Sequence, residues 1–134
     1  MIAVATQPLV GPLTLARAAQ SAARARELVH QALGDGELAK LADAAALVVS
    51  EMVANSVLHG RCSRVHVTVQ RTGRTGVRVV VADGSRALPV LRKPGGEDMG
   101  GRGLVIVEAL AVRWGAEVLP WGKRVWAELA GGAA

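Results

Sequence analysis

Val49-Ser50-Glu51-Met52-Val53-Ala54-Asn55-Ser56 sets a carboxylate and an amide four residues apart inside an otherwise apolar run. At about 100° per residue, Glu51 and Asn55 fall about 40° apart on one side of a helix predicted over residues 37–58. Leu41, Ala44, Leu47, Val48, Met52 and Leu58 form the predicted apolar face, and Gly60 is a natural stop. Ala44, Leu47 and Leu58 share the side that carries Glu51 and Asn55, so two polar groups are expected to project from a face that should be buried. A buried charge is costly unless something pairs with it; a metal–phosphate group or a water-filled nucleotide cleft would resolve the conflict. An isolated E-x-x-x-N is more often a local i,i+4 hydrogen bond. Asn55 is, however, the sole asparagine of the chain.

Working outward, Val65, Val67 and Val69 alternate with His66, Thr68 and Gln70, the period of a half-buried strand. Thr72-Gly73-Arg74-Thr75-Gly76 turns the chain, and Val77-Arg78-Val79-Val80-Val81-Ala82 returns as a second strand closed by Asp83. Asp83-Gly84-Ser85 is a good turn, yet its place after an apolar strand sets the Asp83 carboxylate near the mouth of the core. Next comes Gly95-Gly96-Glu97-Asp98-Met99-Gly100-Gly101-Arg102-Gly103, readable as a flexible linker, a dinucleotide fingerprint or a phosphate lid. The third glycine of the dinucleotide pattern and the G-K-[ST] of a Walker loop are both missing. What remains is glycine-rich backbone feeding a helix predicted from about residue 103 to 112, whose N-terminal amides favour phosphate, with Arg102 adding positive charge. Strands are predicted near 114–119 and 124–129, meeting at Pro120-Trp121-Gly122. Upstream, residues 2–5 read as a short strand, then a Pro/Gly loop, then a helix over 14–33 punctuated by Gly34-Asp35-Gly36. The fold class is α/β: a two-layer α+β sandwich with helices on one face of a mixed β-sheet.

The 134 residues suffice for one domain spanning 1–134. The chain has no Phe or Tyr and three Trp, so its core must be built from Val, Leu, Ile and Ala. Arginine outnumbers lysine 13 to 3, the bias of a GC-rich, bacterial genome. The net charge of +5 is spread over scattered arginines without aromatic interleaving. A plain basic surface is favoured, an acidic partner or nucleotide comes next, and nucleic acid last. Cys62 stands alone, without disulfide or metal-ligand spacing. The N-terminus lacks a basic n-region, and no run reaches the ~20 apolar residues of a membrane span; a cytoplasmic protein is expected.

The order and spacing of these patches resemble a GHKL-type (Bergerat fold) ATP-binding domain, the fold of gyrase, sensor histidine kinases and mismatch-repair ATPases. The resemblance covers about residues 15–130 and is strongest to the stand-alone bacterial anti-sigma-factor serine/threonine kinases. It implies Asn55 as a Mg²⁺ ligand, Glu51 as the base that activates the attacking oxygen, and Asp83 as acceptor for the adenine amino group. It also implies Gly101, Arg102 and Gly103 as phosphate-binding residues, with residues 86–99 as the ATP lid. ATP and Mg²⁺ would be the cofactors, and a STAS-type anti-anti-sigma protein and a sigma factor the partners of a homodimer. Two departures stand out: Ser85 replaces the last glycine of D-x-G, and Arg124 occupies the place of a threonine that orients a water beside adenine. An alternative is a degenerate nucleotide-binding module that sequesters a regulatory partner without phosphorylating it. His59 is expected to pack at the helix end; His30 and His66 have no supporting partners in the sequence.

Overall fold

A computed structural model describes residues 6–34, 36–59, 64–84 and 99–130, with backbone only at 6, 59 and 99–103. The order is β1 (Thr6–Ala16), α1 (Ser21–Leu33), a 3-10 helix (Gly36–Leu41), α2 (Ala42–His59), β2 (Arg64–Thr72), β3 (Gly76–Asp83), α3 (Met99–Leu110), β4 (Arg113–Leu119) and β5 (Gly122–Ala130). The five strands form one sheet in the order β1-β2-β3-β5-β4. The two-layer α/β arrangement is as expected; within it, all four strand pairings are antiparallel rather than mixed.

Strand alternation divides the residues between the two layers. Val65, Val67 and Val69 of β2 pair with Asp83, Val81 and Val79 of β3, which in turn pair with Lys123, Val125 and Ala127 of β5. All of these are buried, because side chains two apart share a face and this face lies under the helices. The opposite face is polar. Arg78 stacks 4.8 Å above the Trp126 ring, Arg113 bonds Glu128, and His66 meets Thr14 of β1 at 3.0 Å.

Helix α2 packs on α1, α3 and strands β2, β3 and β5. Its buried stripe is Ala45, Val48, Val49, Met52, Val53 and Ser56, whereas Leu47 and Leu58 are exposed. The predicted apolar face was therefore rotated: Glu51 and Asn55 flank the buried stripe, half-buried, instead of projecting from its centre. The error has a physical source. Nearly every residue from 41 to 54 is apolar or small, so the pattern carries little phase information. The stretch Gly36–Leu58 is in fact long and apolar enough to cross a membrane by length and composition, a longer run than the sequence reading allowed. In the fold this stretch is the central helical element, largely covered by its neighbours.

Two other elements differ from expectation. The helix predicted over 14–33 begins at Ser21, because Leu13, Thr14 and Leu15 extend β1 against β2. As an edge strand, β1 tolerates Pro8 and Pro12, and its register shifts between Pro8 and Val10 and between Val10 and Leu13. Gly11 sits there with φ 97°, where a Cβ would come 2.5 Å from the Val67 carbonyl oxygen. Helix α3 starts at Met99, four residues before the predicted start, so Gly100, Gly101 and Gly103 are helical. The strand predicted at 2–5, Gly60, Cys62, Ser85 and nearly all of the predicted lid lie outside the described residues.

Candidate nucleotide site

The second half of α2, the end of β3, the start of β5 and the first half of α3 converge at one end of the sheet. Gly122 makes the approach of β5 possible. A Cβ there would run into the Asp83 carbonyl oxygen and come 2.7 Å from Gly84 Cα. Lys123 follows on the face that also carries Val125, Ala127 and Leu129, and it pairs directly across from Asp83. Its Nζ donates to both carboxylate oxygens of Asp83, at 3.0 and 3.1 Å. The pair is almost fully enclosed, with side-chain exposures of 6% for Lys123 and 1% for Asp83.

Magnitudes show how firmly this pair is held. Removing one partner of a buried ion pair costs about 3–5 kcal/mol, since the other charge is left uncompensated. A hydrogen bond from a neutral donor to a charged group returns only about 1.5–3 kcal/mol. Asp83 is thus where the sequence places it, at the mouth of the core, but its carboxylate is already engaged by a cation from the same fold.

Met52, Asn55 and Ser56 of α2, Leu104 of α3, and Lys123 and Val125 of β5 line a cavity of about 10 Å³ beside this pair. That is room for about one water. Asn55 and the Asp83–Lys123 couple therefore meet at a single cleft. Glu51, one turn earlier on α2, is half-buried and is not among the residues lining the cavity. Gly101, Arg102 and Gly103 lie in the first turns of α3, directly before the buried Leu104. With α3 starting at Met99, of these three residues only Gly101 falls among the first N–H groups that lack intrahelical partners; the amides of Arg102 and Gly103 belong to the helix's own i→i−4 ladder, a correction to the expected glycine loop.

Arg124 requires a correction. It lies on the outer face of the sheet, bonded to Glu117 on β4, and does not face Asp83. The residue in that position is Lys123, which sequence reasoning missed. Strand parity carried the signal: counting back in twos from Leu129 through Ala127 and Val125 leads to Lys123.

The donor set fits a magnesium nucleotide. The Asn55 amide oxygen is a hard ligand of the kind Mg²⁺ takes, and that ion commonly uses one or two protein ligands together with phosphates and water. Among the described residues no cluster of three His, Cys, Asp or Glu is placed to hold a metal ion alone. With room for about one water, the cleft between α2 and α3 must widen to admit a nucleotide.

The architecture is thus a two-layer sandwich with a cleft between α2 and α3 at one end of the sheet. The chain matches the family described as "Histidine kinase-like ATPase domain" over residues 12–127. It belongs to that family of ATP-binding domains. Among solved structures, the histidine kinase domain of the Erythrobacter litoralis EL346 blue-light activated histidine kinase is similar at 18% identity and a TM-score of 0.48. That similarity covers 91% of this chain and 64% of the other, so the chain spans less than two thirds of its length. A comparison with curated proteins found no match.

Proposed function

We propose that this protein is an anti-sigma-factor serine/threonine kinase: it binds Mg-ATP, phosphorylates a STAS-type antagonist, and holds a sigma factor inactive until that antagonist displaces it. The observation that carries the reading is the meeting of Asn55 with the Asp83–Lys123 couple at one cleft beside the glycine-rich start of α3. Phosphoryl transfer needs positioning and charge neutralisation more than covalent chemistry. Asn55 would hold the Mg²⁺, which would supply neutralisation of the phosphate charge. The backbone amides at the start of α3, with Arg102, hold the phosphates. Glu51 takes the proton of the acceptor hydroxyl as the new O–P bond forms and the bond to the ADP leaving group breaks. In this reading the protein works as a cytoplasmic homodimer, which sedimentation equilibrium checks.

One observation favours the second reading, a binding module without transferase activity: Glu51 does not line the cavity that Asn55 shares with Lys123. Transfer of labelled phosphate decides between the two. In the kinase reading Glu51→Ala retains ATP binding and loses about 10²- to 10⁴-fold in transfer rate, while Asn55→Ala loses transfer together with the Mg²⁺ dependence of ATP binding. A wild-type protein that binds both ATP and its antagonist, yet transfers no phosphate over hours, leaves the binding module standing.

A further inference from the structure

We propose that β4 is a self-pairing edge: two copies of this chain join antiparallel through Arg113–Leu119, with the two-fold axis at Gly115, and their two sheets become one. The inference rests on the homodimer of the reading above and not on its nucleotide chemistry. The sheet has two edges, β1 and β4, and they are built differently. β1 carries Pro8 and Pro12, which have no N–H to offer, and its register breaks twice. Such interruptions keep an edge from pairing with another chain. β4 has neither. It holds no proline, and its seven residues run in unbroken register with β5. Among the described residues no strand covers its outer side, so alternate residues aim their N–H and C=O groups away from the sheet.

Seven large apolar side chains are exposed among the described residues, and four of them, Leu110, Val112, Val118 and Trp121, lie on β4 or within three residues of its ends. Apolar groups gathered along an open edge point to a protein partner. A second copy fits because β4 is its own complement. In an antiparallel pairing centred on Gly115, Arg113 stands opposite the partner's Glu117, and Val112 stands opposite the partner's Val118. The two-fold axis repeats both pairs. Moving the axis to Ala116 would set Arg113 against the partner's Leu119 and lose both matches. Arg113 already bonds Glu128, and Glu117 bonds Arg124. Both nevertheless keep half or more of their side chains exposed, at 61% and 50%. A guanidinium has five donors and a carboxylate about four acceptor sites, so the new contacts add to the old ones. Arg124, Glu117, the partner's Arg113 and the partner's Glu128 then form a row of alternating charge across the seam.

Sedimentation equilibrium tests the seam with variants that mispair alone and match when mixed. Arg113→Glu sets two carboxylates against each other, and Glu117→Arg sets two guanidinium groups against each other. Each alone should associate about tenfold more weakly than the wild type, two attractive pairs having become two repulsive ones. Mixed in equal amounts, they restore opposite charges at both positions and should form a heterodimer. A mixture no more associated than its components overturns the register. Should either substitution disturb its own sheet through Glu128 or Arg124, Val112→Lys supplies the readout, at a position 63% exposed in the single chain. It should raise the dimer dissociation constant about tenfold or more, because two valines lose their cover. A dimer indifferent to Val112→Lys overturns the seam and leaves the homodimer to another surface. A wild type that stays monomeric up to submillimolar concentration overturns the seam and the homodimer together, and the edge then belongs to an extended segment of a different protein. ATP titration of Val112→Lys should match the wild type, so a failure of the nucleotide reading is seen separately.

Discussion

Neutralising Asp83 strands a lysine ammonium in the core, and the consequence is measurable without any nucleotide. Asp83→Asn should lower unfolding free energy by about 3–5 kcal/mol, a large share of the 5–15 kcal/mol typical of a domain. Asp83→Asn combined with Lys123→Met removes both charges and should recover most of that loss, because a buried ion pair replaced by neutral groups is often close to thermodynamically silent. Urea unfolding of the two single variants and the double variant forms the cycle. Additive losses would mean that the pair, despite its 3.0 Å geometry, is not coupled. The same residues mark how far the sequence could be read. Asp83 was legible because it ends an apolar strand. Lys123 was not legible from the Val-Trp motif, which points to the residue directly before it; strand parity sends that residue, Arg124, outward to Glu117.

Elements were legible in proportion to the clarity of their period. β2 alternates cleanly, β3 is a short apolar run bounded by a Gly turn and Asp83, and both came out within a residue or two of their bounds. β1 did not, because Pro8, Gly11 and Pro12 interrupt it and its last residues read equally well as the start of an alanine-rich helix. The existence of α2 was plain, but its phase was not, because the run from Ala44 to Val49 is unbroken Ala, Leu and Val. Where two elements approach most closely, a single methyl group becomes a probe. Gly122→Ala places a Cβ against the Asp83 backbone and must push β5 away from β3 at the point where Lys123 is seated. It should cost about 1–3 kcal/mol as an overpacking defect and weaken ATP binding, although it touches no ligand atom. Thermal unfolding and titration of the same sample check both halves, and unchanged ATP affinity would show that the seat of Lys123 does not depend on this approach.

On the scale of the whole molecule, the aliphatic layer between helices and sheet carries the stability of a chain without Phe or Tyr. Leu33 is fully buried at the end of α1, and Leu58 is 59% exposed near the end of α2. Leu33→Ala should cost about 2–5 kcal/mol, whereas Leu58→Ala should stay within about 0.5 kcal/mol. Comparable losses in denaturant unfolding would contradict the observed phase of α2. The scarcity of aromatic residues also turns one hydrogen bond into an optical gauge. The Trp114 indole N–H donates to Glu108 of α3, one helical turn beyond Leu104, which lines the nucleotide cleft. With no tyrosine background, and with Trp121 and Trp126 replaced by leucine, emission from Trp114 becomes a direct readout of where α3 sits. If the cleft widens by a shift of α3, ATP should change the intensity or wavelength of that emission in step with its calorimetric saturation. A silent indole at full occupancy would mean that α2 is the wall that gives way.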